Sequence, residues 1–317
     1  MTVSPRSPRA AAWILAAAVA ACAGPGLAAT AAVPAAGAWW VWPLALFFVS
    51  FTLGIIAVPA GVGGGVLFVA LVGGFFPFHL DFVRGAGLMV ALASALAAGP
   101  RLLRGGLADL RLALPLGLLA SASSIAGAML GLAMSPSSVQ TALGLTILGI
   151  VALMASARNA ELPRVAAPDR LSAALGIHGV FHDGASGRAV EWQVHRTPVG
   201  LALFTGIGVL AGMFGLGAGW ANVPVLNLLM GAPLKVSAGT SSFILSLVDS
   251  TAAWVYLNEG AVLAVIAVPS VLGMMLGARI GARLLTVMKA ATVRRLVLVL
   301  LLFSGTRALL KGLAIWN

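Results

Sequence analysis

Two glycine-rich stretches carry the backbone groups best suited to hold a small ligand. Residues 61–65 read Gly-Val-Gly-Gly-Gly, and residues 215–219 read Gly-Leu-Gly-Ala-Gly. Glycine accepts positive φ and lets a ligand approach the backbone closely, and successive N–H groups in such a turn can form an anion-binding nest. A helix that begins there adds free N–H groups and the positive end of its dipole. The pattern predicts a small-anion site at Gly63, Gly64, Gly65, Gly217, Ala218 and Gly219, with close helix packing as the alternative role.

Polar side chains follow the second glycine stretch and extend the predicted site. Asn222 lies one turn beyond it, and the run Gly239-Thr240-Ser241-Ser242 offers hydroxyl groups and further N–H groups at a helix start. The first copy has Phe68 in place of the asparagine and Arg84 near the corresponding helix start. Arg84 is either a charge partner for the anion or an interfacial residue beside Asp81. Most polar contacts are therefore expected from the second copy.

Asp249 is an acidic residue set deep in an apolar stretch, residues 243–257. Carboxyl groups inside membranes are rare and mark functional positions, and a low-dielectric surrounding favours the protonated form. Asp249 is therefore a candidate for proton coupling. Two other roles stay open, because the carboxyl could face an aqueous vestibule or form hydrogen bonds with Ser246 or Ser250.

Composition indicates what kind of protein must position these groups. Hydrophobic residues make up 61% of the chain and charged residues 9%, whereas a soluble domain carries about 25% charged residues. A spanning helix needs roughly 20 apolar residues. The predicted fold class is therefore all-α, a polytopic membrane protein in a lipid bilayer. The net charge of +11 falls in short clusters between apolar stretches, which predicts membrane orientation and no nucleic-acid partner.

The apolar stretches form two sets of five elements that repeat each other. A shift of 154 residues superimposes Gly54 on Gly208 and Pro115 on Pro269, and such repeats define an architecture. The second element of each set is too short to cross the membrane core, so each is predicted to be a half-length helix entered through its glycine turn. The expected elements are 40–60, 66–77, 84–100, 108–133 and 137–157, then 198–213, 219–231, 238–257, 261–285 and 292–311.

The placement of basic residues gives the two halves opposite orientations. The junction between the third and fourth elements carries basic residues in the first half only. The junction between the fourth and fifth elements carries them in the second half only. Because basic residues concentrate on the cytoplasmic side, we predict two inverted-topology repeats with Gly-broken half-helices, as in secondary transporters. Arg307 and Lys311 fit this orientation poorly. The predicted domains are a signal peptide or N-terminal helix over 1–38, a first membrane repeat over 39–157, a cytoplasmic connecting segment over 158–197 and a second membrane repeat over 198–317.

Residues outside the membrane elements give weaker signals. Cys22 is the single cysteine, which leaves no disulfide framework and no cysteine-based metal site. His178 and His182 have a spacing that binds zinc on a helix, but nearby glycines disfavour a helix, and a turn after Asp183 could join a small hairpin. No nucleophile triad, paired carboxylates or phosphate-binding loop is found. The sequence therefore predicts no enzyme, no metal and no cofactor.

These motifs resemble those of the TauE/SafE family of sulfite and organosulfonate exporters. The resemblance covers about residues 40–157 and 198–312 and rests on the glycine turn of each half, residues 223–226 and Ala238-Gly239-Thr240-Ser241. The first copy departs from the family pattern at Ala70, where proline is usual. The resemblance implies a bacterial inner-membrane protein that exports a small sulfur oxyanion, driven by the proton gradient.

The residues and the resemblance leave three functional hypotheses. The first is a proton-coupled exporter of sulfite or an organosulfonate, whose partners are the anion, protons and the lipid bilayer. The second is a membrane scaffold that binds a partner through segment 158–197. The third is a permease for another small anion, such as a carboxylate. The substrate, the coupling ion and the formation of a homo-oligomer stay open.

Overall fold

A computed structural model describes residues 40–60, 63–104, 106–156, 163, 165, 167–183, 188–284 and 290–313. The predicted signal peptide or N-terminal helix over 1–38, including Cys22, lies outside the described residues. Gly61 and Val62 of the first glycine stretch lie outside them as well. The described chain is almost entirely helical, which confirms the predicted all-α class.

A helix lies at each of the ten predicted elements, and apart from α8 the ends agree within about four residues. The first half contains α1 (Val41–Ala60), α2 (Gly64–Phe75), α3 (Leu80–Arg104), α4 (Leu110–Ala133) and α5 (Pro136–Ser156). Between the halves lie a short helix, α6 (Arg170–Ala174), and two strands, β1 (His178–Asp183) and β2 (Arg188–Gln193). The second half contains α7 (Thr197–Phe214), α8 (Gly219–Pro224), α9 (Leu234–Asn258), α10 (Ala264–Leu284) and α11 (Ala290–Gly312).

Within the described part of the chain, five helices are long and apolar enough to cross a membrane. The qualifying segments are Leu80–Ala97, Leu110–Ala133, Pro136–Ser156, Thr197–Phe214 and Ala264–Gly281. Length and composition therefore make the chain a multi-pass membrane protein.

Both halves contain a helix break at the glycine stretch. In the first half, Gly63 has a φ of 80° directly before α2, and in the second half Gly215 and Gly217 have φ values of 67° and 71° between α7 and α8. These left-handed conformations explain the glycines. The helix α8 is shorter than the predicted element 219–231, because Pro224 has no N–H to donate. The chain continues there as a π-helical turn, Val225–Leu229.

The two halves pack on each other reciprocally. In the first half α1 lies against α10 of the second, and α4 lies against α7, so the first helix of each half pairs with the fourth helix of the other. The two third helices, α3 and α9, contact each other, as do the fifth helices, α5 and α11. Reciprocal packing of this kind is expected of two related halves. Their opposite orientation in the membrane stays a prediction.

Glycines allow these paired helices to approach closely. A Cβ atom at Gly54 of α1 would lie 2.8 Å from both the nitrogen of Ala278 and the carbonyl oxygen of Met274 in α10. Gly208 of α7, 154 residues later, faces the carbonyl oxygen of Ala120 in α4 in the corresponding way. Close van der Waals packing of this kind drives helix association in lipid, where hydrophobic burial contributes little.

Substitution Gly54→Ala is expected to destabilise the protein, because the new methyl group overlaps the α10 backbone. We expect a loss of about 1–3 kcal/mol, the usual cost of overpacking a close contact. Gly149→Ala in α5 is the matched control, since no atom lies within 4 Å of its added Cβ position. The apparent melting temperature in detergent measures both variants, and equal values for the two would contradict the close α1–α10 contact.

The connecting segment forms a small folded unit between the halves. Strands β1 and β2 pair antiparallel, with His178 opposite Gln193 and Val180 opposite Glu191. This confirms the predicted hairpin, and it places His178 and His182 on a strand rather than on a helix. Among the described residues, no group of three or more His, Cys, Asp or Glu side chains could hold a metal ion.

This unit is attached firmly to the second half. Within the unit, the Ser172 hydroxyl donates to the carbonyl of Val194 at 3.0 Å. The N–H of His195 links the unit to the second half by donating to the carbonyl of Met230 at 3.0 Å, just beyond the π-helical turn. Trp192 and Val194 are buried in the same apolar cluster as Met230. The segment therefore covers the end of the broken α8 region rather than standing free of the membrane helices.

Asp169 ties the start of this unit to the start of α7. The Thr197 hydroxyl donates to its carboxylate at 2.8 Å. Burial raises the pKa of Asp169, but hydrogen bonds from Thr197 and Ser172 outweigh that effect and hold the pKa below its usual value. The carboxylate therefore stabilises the folded unit above the ordinary Asp pKa of about 3.9. That contribution is lost as the pH falls through the folded-state pKa.

Substitution Asp169→Asn is consequently expected to destabilise the protein at neutral pH. We expect a loss of about 1 kcal/mol at pH 7, the scale of one net hydrogen bond, and a smaller difference from wild type at about pH 3, where the carboxyl is protonated. The exposed acid Glu191 provides a control as Glu191→Gln. Melting temperatures at both pH values measure the effect, and a pH-independent difference would contradict it.

Candidate anion site between two broken helices

The two glycine turns meet inside the protein. A Cβ atom at Gly63 would lie 3.8 Å from the Cα of Gly219. At Gly65 the added atom would lie 2.7 Å from the carbonyl oxygen of Leu216 and 3.0 Å from that of Gly87. Since α2 begins at Gly64 and α8 begins at Gly219, the N-terminal ends of both helices lie at this contact.

Asp249 of α9 lies beside the second turn. A Cβ atom at Gly217 would lie 3.3 Å from each carboxyl oxygen of Asp249 and 3.1 Å from the Cβ of Ala91. The side chain of Asp249 is fully buried, and neither of its oxygens has a hydrogen-bond partner among the described residues. A buried carboxyl without a partner is costly, so this group is suited to a proton or a ligand.

Asn222 adds a second polar group without a partner near the same turn. Its side chain is fully buried in α8, and neither its amide nitrogen nor its amide oxygen is hydrogen-bonded within the described structure. Its backbone N–H donates to the carbonyl of Ala218 at 3.2 Å. The corresponding residue of the first half, Phe68, is also fully buried. The polar groups at the contact therefore come from the second half.

Arg84 lies beside Gly215, at the start of the second turn, and its guanidinium contacts other groups of the protein. Its Nη1 donates to the carbonyl of Met213 at 2.8 Å, its Nη2 pairs with the carboxylate of Asp81, and its guanidinium lies 5.7 Å from the ring centroid of Tyr256. Of the two predicted roles, this arrangement favours the pairing with Asp81. Gly215 packs directly on the Arg84 backbone.

The run of residues 239–242 lies away from the glycine contact. Gly239 packs against the loop before α4, with an added Cβ 3.1 Å from the nitrogen of Ala108, and the Thr240 hydroxyl accepts from the N–H of Asp109 at 3.1 Å. Ser241 is buried, and the Ser242 hydroxyl donates to the carbonyl of its own helix at position 238. Nine residues of helix, about 13 Å, separate Thr240 from Asp249.

Comparison with known proteins shows to which family the chain belongs. The profile described as sulfite exporter TauE/SafE matches residues 46–308, most of the chain. The chain belongs to this family. It is also 30% identical over 138 residues to the probable membrane transporter protein YunE of Bacillus subtilis, a match that covers 44% of this chain and 50% of the relative. The matched part thus spans half the length of that relative. No solved structure matches the chain.

In this TauE/SafE protein a cavity lies between α3 and α9, toward the C-terminal end of α3. It has a volume of about 160 Å³ and is open on one side. Ala95, which lines it, lies one helical turn beyond Ala91 at the glycine contact. Its remaining lining residues are Leu96, Gly99, Leu103, Gly239, Ser242, Phe243 and Ser246. The predicted residues Gly239 and Ser242 therefore line this cavity and do not lie at the glycine contact.

Tyr256 is a residue of this TauE/SafE protein whose position the sequence prediction missed. Its hydroxyl lies 3.1 Å from the carbonyl of Gly212 and 3.2 Å from that of Met213, at the end of α7. It is the single tyrosine of the chain, set in an apolar stretch. A buried tyrosine usually finds a hydrogen-bond partner. A single tyrosine in an apolar stretch therefore indicates a buried polar contact.

Proposed function

We propose that this protein is a secondary transporter that exports a small sulfur oxyanion, sulfite or an organosulfonate, and that this transport is coupled to protons. The observation that carries the proposal is the contact between Gly63 and Gly219, where the N-terminal ends of α2 and α8 converge. The first N–H groups of a helix lack partners within it, although in the six-residue α8 the N–H of Ala221 donates to the carbonyl of Ala218 at 3.3 Å. The dipole of the 12-residue α2 favours negative charge at this point. The oxygens of a sulfite or sulfonate group would accept hydrogen bonds from these donors.

Asp249 would link the anion to a proton. An ionised carboxylate beside Gly217 would repel a bound oxyanion in a low-dielectric site. A protonated Asp249 would instead donate a hydrogen bond to an anion oxygen, and Asn222 would donate through its amide. Binding of the anion and protonation of Asp249 therefore favour each other, which is the physical basis of coupled transport.

In the proposed topology, the two broken helices enter the protein from opposite sides of the membrane and meet at one site. Trp42 at the start of α1 stacks edge-on against Phe76 and Phe78, with centroid distances of 5.8 and 5.7 Å, so α1 and α2 form a hairpin closed at its outer end. In the second half, His195 bonds to Met230, so α7 and α8 form a hairpin closed at its opposite end. We assign residues 158–197 to the cytoplasm, residues 39–157 and 198–317 to the two inverted repeats, and the protein to the inner membrane.

Flux measurements in proteoliposomes test the substrate. Sulfite, a small organosulfonate, sulfate and a small carboxylate would each be loaded and followed with protein present and in protein-free liposomes. We expect saturable flux of sulfite or the organosulfonate only. Flux of the carboxylate above that of both sulfur compounds would favour a carboxylate permease, and no flux of either sulfur compound would contradict the proposal.

A further inference from the structure

One cluster of polar groups joins three helices at the end of the bundle opposite the cavity. We call it the Arg84 latch, and it consists of Arg84 and Asp81 of α3, Tyr256 of α9, and the carbonyl groups of Gly212 and Met213 in α7. Arg84 and Tyr256 both donate to the last carbonyl groups of α7. Positive charge and donors are favourable at the C-terminal end of a helix. The latch therefore ties the first half of the protein to the second.

The latch is closely packed against the second glycine turn. A Cβ atom at Gly215 would lie 2.6 Å from the Cα of Arg84, and one at Gly131 would lie 2.8 Å from its Nη1. Only 1% of the Arg84 side chain is exposed. Packing therefore closes this end of the glycine contact, and the cavity between α3 and α9 lies toward the other end of these two helices.

The contacts within the latch can be exchanged. The Arg84 Nε has no hydrogen-bond partner among the described residues, so the buried guanidinium has an unused donor. Its carboxylate partner, Asp81, is 30% exposed, and a second oxygen of that carboxylate lies 3.4 Å from Nδ1 of His79. Because the Asp81 side chain is 30% exposed, water can solvate its carboxylate when Arg84 leaves it. A guanidinium binds carboxylates and other oxyanions through the same donors.

We propose that the Arg84 latch is the exit gate of the transporter, and that a departing oxyanion replaces the Asp81 carboxylate on Arg84. The nature of the departing ligand rests on the proposed function. The gate itself does not, because it depends on the contacts that close this end of the site. The alternative is that Arg84 and Tyr256 only cap α7, in which case the latch stays closed throughout transport.

Accessibility of the glycine contact from outside the cell tests the gate without any substrate. The reporter is Ala218→Cys in a Cys22→Ser background, with Asn222→Cys as a second reporter in case the first does not fold. A membrane-impermeant thiol reagent is added to whole cells, and the labelling rate is measured with the latch intact and with Asp81→Asn or Tyr256→Phe added. Arg307→Lys is the control, since Arg307 lies at the same end but stacks on Phe75 at 4.3 Å, outside the latch.

We expect Asp81→Asn and Tyr256→Phe each to raise the labelling rate about tenfold or more, the factor expected for loss of a hydrogen bond to a charged or buried group. Arg307→Lys should leave the rate unchanged. Equal labelling with and without the latch substitutions, in variants that keep the parent melting temperature, would overturn the proposal. An equal rise in Arg307→Lys would overturn it as well, because it would show general loosening. Failure here with intact sulfite flux would leave the proposed function standing.

Discussion

Substitution Asp249→Asn is expected to reduce proton-driven transport strongly while the protein stays folded. The carboxyl is fully buried, lies within 3.3 Å of the Gly217 Cβ position and has no partner among the described residues. Asparagine has nearly the same shape but cannot take up or release a proton. We expect the flux driven by a pH gradient to fall by about tenfold to a hundredfold, the factor that corresponds to the loss of a hydrogen bond to a charged group.

The measurement is sulfite flux in proteoliposomes with and without a pH gradient. Glu259→Gln is the matched control, because Glu259 is an exposed acid at the end of the same helix, α9. The folded state of Asp249→Asn should be at least as stable as wild type, since a buried carboxyl without a partner is costly. Wild-type coupling in the variant would remove Asp249 from the mechanism.

Substitution Gly217→Ala is the second change with a large expected effect. Gly217 has a φ of 71°, a conformation that costs a residue with a Cβ about 1–2 kcal/mol. The new methyl group would also lie between Ala91 and the Asp249 carboxyl, at 3.1 and 3.3 Å. It would occupy the space in which an anion would reach the N–H groups of the turn. We expect transport to fall by about tenfold or more, as each 1.4 kcal/mol corresponds to a factor of ten.

Gly206→Ala in α7 separates this effect from a general sensitivity to lost glycine. No atom lies within 4 Å of the added Cβ at Gly206, and alanine favours a helix more than glycine does. That control should transport as wild type does. The larger Gly217→Leu should be inactive, and normal flux in either Gly217 variant would contradict a site at the turn.

The helices and the breaks could be predicted from the sequence because their causes are local. Apolar stretches of membrane length, the 154-residue shift and glycines that interrupt the stretches are all visible in the residue order. Even Arg307, which fits the charge rule poorly, has a physical reason in the structure, where it stacks on Phe75 at the C-terminal end of α2. A cation is favourable at that end of a helix.

The partners of individual polar side chains could not be predicted because they come from distant elements. The sequence predicts Thr240 near the second turn, but its hydroxyl accepts from the N–H of Asp109, the residue that caps the start of α4. The sequence allows two roles for Arg84, because the carbonyl of Met213 that it contacts lies 129 residues away along the chain. Asp249 and Thr240 lie on the same helix, α9. Only the packing of that helix shows that Asp249, and not Thr240, lies beside Gly217.

A structure determined with a selenium analogue of sulfite bound would test the central claim most directly. Selenite carries the same pyramidal set of oxygens, and its anomalous scattering identifies its position without interpretation of weak density. We expect one selenium peak between Gly63–Gly65 and Gly217–Gly219, within hydrogen-bond reach of the N–H groups that begin α2 and α8. A peak held by residues away from this contact, in a protein that transports sulfite, would contradict the account.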